Sequence, residues 1–337
     1  IKNFGETTYT ELLIALAQLS QEGFTNLVID LRDNVGGYLD SAVQMANEFL
    51  PKNKLIVYTE GRKSPRREYR TNGQGSYQDI PLVVLINEGS ASASEIFAGA
   101  MQDNDRGTII GRRSFGKGLV QQQIAFPDGS MIRLTIARYY TPSGRCIQKP
   151  YTIGDSEDYA QDIVARYQHG EFFNQDSIKH VGPAYHTTLG RTVYGGGGIT
   201  PDIFVPEDTL GMTSYYKQAA MSGLILQFAF NYTDNNRQKM QQFKELLELE
   251  SYLKKQNMVE QFATYANSHG LQRRNLLIKK SHSLLERYID SRVIYNMLDE
   301  QAWNQYLNAD DNVIKKALEV FKNNAAFPKA PAKKAKR

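Results

Sequence analysis

At 337 residues the chain has length for about two domains and a sizeable core, which excludes a miniprotein held by disulfide or metal staples. Charged residues make up 23% and apolar residues 41%, mean hydropathy is -0.48, and no stretch approaches the roughly 18 apolar residues of a spanning helix, so the composition is that of a soluble globular protein. The net charge of +4 resides in the final residues Lys329, Lys333, Lys334, Lys336 and Arg337; without them 35 basic residues face 36 acidic ones, and charge gives no argument for nucleic acid.

The first 206 residues alternate helical periodicity with β-rich apolar runs, which predicts an α/β layer arrangement with parallel strands. Leu12, Leu13, Leu16 and Leu19 mark a first helix, and Leu27–Leu31 a buried strand. A second helix carries Leu39, Val43, Met45, Ala46, Phe49 and Leu50. Strands are expected at 55–59, 82–86, 108–110, 119–125 and 131–137, with a helix at about 93–104. The basic, polar stretch 60–79 reads as a surface hairpin or loop. Beyond Pro206 strand signals almost vanish, and 213–324 reads as successive amphipathic helices, with Phe243, Leu246, Leu247 and Leu253 assigned to one face. The expected division is a core over 1–206, a helical domain over 207–324 and a disordered basic tail over 325–337. A start at Ile1-Lys2, with neither initiator Met nor leader, leads us to expect the middle of a longer protein.

Three stretches carry chemistry. Asn87-Glu88-Gly89-Ser90-Ala91-Ser92-Ala93-Ser94-Glu95 follows an apolar strand and opens a helix; small residues permit close approach of a ligand, and a hydroxyl there can act as a nucleophile. The competing reading is that its serines cap the helix, with Glu95 completing a capping box. Gly111–Gly118 has phosphate-loop spacing, but Gly118 stands where Ser or Thr should hold Mg²⁺ and a strand pattern follows instead of a helix. Its Lys117 is either a solvated turn residue or, in a closed apolar site, a base for a hydroxyl proton. Asp30–Gly37 leaves the first core strand through a glycine pair able to aim backbone N–H groups at an oxyanion. The single cysteine, Cys146, excludes an intrachain disulfide and a cysteine-cluster metal site. None of the five histidines lies near these stretches in sequence, which disfavours a Ser-His-Asp triad unless His180 or His186 arrives by tertiary folding. Ser251-Tyr252-Leu253-Lys254 fits an S-x-x-K spacing without the accompanying motifs and is set aside.

Together these stretches, with Phe115–Gln121, Ala137–Gly144 and Tyr194–Asp202, resemble the carboxy-terminal processing peptidases, or tail-specific proteases, over about 200 residues in register. The resemblance implies a crotonase/Clp-protease-like βα spiral core followed by an all-helical extension. It implies Ser92 as nucleophile, Lys117 as base, Gln121 as the acceptor that orients the lysine amine, and Gly36, Gly37 and Ala93 as oxyanion donors, with Asp103 in a supporting place. A glutamine carbonyl suits that task because it accepts an amine N–H without adding charge. It further implies no ATP, metal or other cofactor, polypeptide substrates with unfolded or apolar carboxyl termini, and action in the periplasm or cell envelope. Family members often carry a PDZ domain, and none is expected in this sequence. For residues 213–324 an oligomer contact, an adaptor dock and a cover over the site stay open. A non-catalytic scaffold derived from such a protease is the alternative, and crotonase-type acyl-CoA chemistry leaves Ser92 and Lys117 unexplained.

Overall fold

A computed structural model describes residues 1–152, 156–180 and 182–331, with the backbone alone at 156–158 and 160. The described residues divide into two compact units, 1–207 with 316–331, and 208–315.

In the first unit α1 (Thr8–Gln21) precedes β1 (Leu27–Asp30), α2 (Leu39–Phe49), the hairpin β2 (Leu55–Gly61) and β3 (Ser64–Arg70), and β4 (Leu82–Ile86). Then come α3 (Ala93–Asp103), β5 (Thr108–Gly111), β6 (Leu119–Ala125), β7 (Met131–Tyr140), α4 (Ser156–Gln168), β8 (Ala184–His186), β9 (Thr192–Tyr194) and β10 (Ile203–Phe204). One sheet, ordered β1-β4-β5-β10, is parallel throughout; its central β4, Leu-Val-Val-Leu-Ile, is wholly buried, as the unbroken apolar run requires when both faces are covered. The second sheet, β3-β2-β7-β6, is antiparallel, which corrects the expectation of parallel strands for this half. Short links between β2 and β3 and between β6 and β7 leave no room for a crossover helix, so those strands can pair only antiparallel. Helices α2 and α3 bury Met45, Phe49, Phe97 and Met101 in the common core with β4, and Phe49 meets Phe97 edge to face.

The second unit begins with α5 (Ser214–Met221), α6 (Leu224–Met240), α7 (Leu246–Leu253) and α8 (Met258–Ser268). It continues with α9 (Asn275–Lys280), α10 (His282–Met297) and α11 (Glu300–Asn308), and the division between the units falls within α12 (Asn312–Lys322). Phe228, Phe262, Ile289 and Val293 belong to its own apolar core. Leu247, expected on the inner face, is 73% exposed; the 3.6-residue period selects Leu246, Leu249 and Leu253 instead. Ser251 Oγ donates to Leu247 O and Lys254 pairs with Glu250, so that S-x-x-K stretch is ordinary helix surface.

Of the stretch expected as a disordered tail, Ala326 is buried, Thr108 Oγ1 donates to the carbonyls of Ala325 and Ala326, and the Arg106 guanidinium lies 5.5 Å from the Phe327 ring. Residues 332–337 lie outside the described residues.

Candidate active site

The three serines of the run have different fates. Ser90 and Ser94 are fully buried, and their hydroxyls donate to Leu31 O at 2.7 Å and Asn34 O at 2.8 Å, stitching the run to the loop after β1. Ser92 is the N-cap of α3, half-buried, and lines the adjacent cavity. Its backbone is left-handed at φ 55°, a conformation costly outside glycine that persists only where the surroundings enforce it.

Glu95 does much of that enforcing. Its carboxylate is wholly buried and accepts four hydrogen bonds: Ser92 N–H at 2.8 Å and Lys117 N–H at 2.9 Å on Oε2, Gly116 N–H at 2.7 Å and the Ser114 hydroxyl at 2.5 Å on Oε1. Burial pushes its carboxyl above the ordinary value, opposed by those bonds from Ser114, Lys117, Gly116 and Ser92, which favour the anion. Tyr139, buried on β7, adds a second clamp: its hydroxyl sits 3.1 Å from Ser92 O and also hydrogen-bonds Lys117 O. The backbones of Ser92 and Lys117, 25 positions apart in sequence, are therefore fixed to the same two side chains.

Behind the lysine loop, the glycine-rich stretch after β9 closes a mesh. Ile199 N–H donates to Ser114 Oγ at 2.7 Å, Ser114 N–H donates to Ile199 O, and Arg113 reaches Gly197 O. Glu171 accepts from Arg113 and Arg166, and Arg166 in turn donates to the Arg113 and Ser114 carbonyls. Strand β6 follows Gly118, so no helix starts from the lysine loop and the phosphate-loop spacing carries no phosphate-loop structure.

The glycine turn abuts the serine. A Cβ on Gly36, at φ 95°, would stand 2.6–2.8 Å from Ala91 O, Ser92 Cβ and Ala93 N, and one on Gly37 would stand 2.1 Å from Phe4 O. Gly36 N–H donates to Asn34 Oδ1 at 2.9 Å. Its part is to let the turn approach, and the N–H groups of Gly37 and Ala93 are the ones without a hydrogen-bond acceptor among the described residues. Gln121 lies on exposed β6, at a register shift of the β6–β7 pair, a bulge of the kind that re-aims side chains beside active sites.

Ser92, Lys117, Gln121, Gly36, Gly37 and Tyr139 all line one cavity of about 670 Å³, and Ala93 follows Ser92 directly. Residues bearing a hydroxyl, an amine, a side-chain amide and the unengaged Gly37 N–H line one space, with the Ala93 N–H next in the chain after the serine, and these are the components of acyl transfer without histidine. His180 stacks on Tyr194 with ring centroids 3.7 Å apart, His186 is exposed on β8, and neither lines this cavity. Asp103 closes the far end of α3, about 16 Å along the axis from Ser92. It is fully buried and bonded to Arg145 at 2.8 Å and to Ser143 N–H, so it acts on the scaffold. Sequence pattern alone marks neither Glu95 nor Tyr139 as a residue of this site. Glu95 looks like a helix cap there, and Tyr139 is one aromatic of a strand motif.

Comparison with known proteins bears on this geometry. Residues 1–158 match the model of peptidase family S41. The first 158 residues are an S41 peptidase domain. Residues 215–299 match a family of unknown function. A carboxyl-terminal-processing protease of Synechocystis sp. is 43% identical over 149 residues, 44% of this chain and 34% of the relative. The chloroplastic C-terminal processing peptidase of Tetradesmus obliquus is 39% identical over 162 residues, 48% and 34% of the two chains. Among solved structures, the photosystem II D1 C-terminal processing protease aligns at 29% identity and a TM-score of 0.45, covering 62% of this chain and 42% of that one. A putative S41 protease from Bacteroides fragilis aligns at 16% and 0.43, covering 66% and 53%. The chain spans about a third of the length of the curated relatives it matches. The S41 domain holds Ser92, Lys117, Gln121, Glu95 and Tyr139, while the glycine stretch that braces Ser114 lies beyond its matched end.

Proposed function

We propose that this chain is the catalytic portion of an ATP-independent serine endopeptidase of the carboxy-terminal processing type, acting through Ser92 and Lys117. The observation that carries this reading is the double clamp by Glu95 and Tyr139, which fixes the backbones of serine and lysine against each other at the mouth of one cavity. In the proposed cycle Ser92 Oγ attacks the scissile carbonyl while the Lys117 amine, in its neutral form, takes the hydroxyl proton. The oxyanion is received by Gly37 and Ala93 N–H, and Gln121 accepts an amine N–H and keeps the lysine directed at the serine. Lys117 then protonates the leaving amine, and water resolves the acyl-enzyme by the reverse route.

Polypeptides are the substrates in this reading, with the periplasm or cell envelope as the place of action, by likeness to the S41 relatives. No described helix is long and apolar enough to cross a membrane. Ser92→Ala and Lys117→Ala are each expected to lower kcat for an unfolded protein substrate by about 10,000-fold or more, with circular dichroism unchanged. Wild-type turnover in either variant would falsify the assignment, as would wild-type protein that folds and cleaves nothing.

A further inference from the structure

The cleft that holds Ser92 does not end where the serine and lysine are. Tyr38, Leu39 and Val120 line both it and a second cavity of about 500 Å³ walled by β3, so the two cavities adjoin as neighbouring parts of a groove. Its charged lining is lopsided. Apart from the proposed base Lys117, Arg133 lines the first part and Arg66 and Arg67 the second, and the one acidic side chain lining either is Asp40.

The arginines are not equivalent. Arg66 is already committed, donating to Glu68 and stacking on the Tyr58 ring at 3.8 Å. Arg67 and Arg133 have no carboxylate partner among the described residues; the Arg67 guanidinium rests 5.0 Å from the Tyr69 ring centroid, and Arg133 is exposed on β7. Arg133 pairs across the hairpin with Gln123, as Thr135 does with Gln121, and directly paired residues share a face of the sheet. It therefore stands on the same face as the lysine-orienting glutamine, two residues or about 7 Å farther along the strand.

We propose that this groove selects polypeptide segments bearing carboxylates at two subsites, one read by Arg133 and one by Arg67. The inference rests on the protease reading of Ser92 and names its substrate class. Two forked guanidiniums without a carboxylate partner, in a groove with one acid, favour Asp or Glu side chains, and repel Lys and Arg, at those places. A free chain end offers the same carboxylate chemistry, so the test separates the two sources.

Internally quenched peptides share one apolar centre and are flanked by Glu, Gln or Lys, all with amidated ends, and a fourth has Gln flanks with a free carboxyl terminus. The full chain is expected to prefer the Glu-flanked peptide through a lower KM at similar kcat, with the Lys-flanked one poorest. Binding of a labelled Glu-flanked peptide to the Ser92→Ala protein, read by fluorescence anisotropy, is expected to weaken about 2- to 5-fold in Arg133→Gln and in Arg67→Gln, and to fade at high salt. Equal KM for Glu and Gln flanks, or unaltered affinity in both arginine variants, overturns the inference and leaves the protease reading standing. A preference that follows the free carboxyl terminus alone overturns the side-chain assignment. If Glu-flanked peptide binds in this arginine-dependent way but is not cleaved by wild type, the groove stands and the protease reading fails.

Discussion

Gly36 is the residue of the turn that bears directly on the serine run. Its φ of 95° and the three atoms within 2.8 Å of a built Cβ belong to the serine run itself, so a methyl group there has nowhere to go that does not move Ala91, Ser92 or Ala93. Gly36→Ala is expected to cost about 1–3 kcal/mol in urea unfolding and to lower kcat far more than it raises KM. Wild-type turnover in that variant would show that the turn and the serine are less tightly coupled than their spacing implies. Ser92, Lys117 and the glycine pair were legible in sequence because rare local patterns marked them. Glu95 as a four-fold acceptor was not, since its partners Gly116, Ser114 and Lys117 lie about twenty positions away and only folding brings them to it.

At the scale of elements, strand β4 was readable from its five apolar residues, and so was the helix that follows it. The antiparallel second sheet was less so, because periodicity reports which face of a strand is buried and says nothing of the direction of its neighbour. Helix α10 carries a property that no pattern announced. Asp290 is buried there with its Oδ1 unpartnered among the described residues, and burial, with Glu286 and Glu250 adding to it and Lys254 opposing, pushes its carboxyl up to about 7. Between the unfolded value of 3.8 and about 7 the folded helix retains a proton that the unfolded chain gives up. Stability from this group is thus full below the lower value and is lost as pH rises through the upper one, on the order of a few kcal/mol. Thermal unfolding of the helical unit is expected at lower temperature at pH 8 than at pH 5, and Asp290→Asn should remove most of that difference; an unchanged pH dependence in the variant would refute the assignment.

At the scale of the molecule, distant segments are joined through a few buried polar residues. Arg145, with no exposure, donates to Gln102 and Asp103 at the end of α3 and to Tyr194 O beside the glycine stretch. Arg145→Ala strands Asp103 as a buried charge and is expected to cost about 3–5 kcal/mol in the unfolding of the α/β unit. A loss below about 1 kcal/mol would mean that water or neighbouring donors replace the guanidinium. Sequence composition separated the helical region from the α/β region but placed the end of the chain in solvent. The structure instead returns residues 316–331 to the first unit, with Ala326 packed and hydrogen-bonded beside β5. The helical unit is thereby an insertion, covalently tethered at both ends. A single nick near residue 208 or near residue 315 leaves all of it bonded to a segment of the α/β unit, and only two cuts set it free.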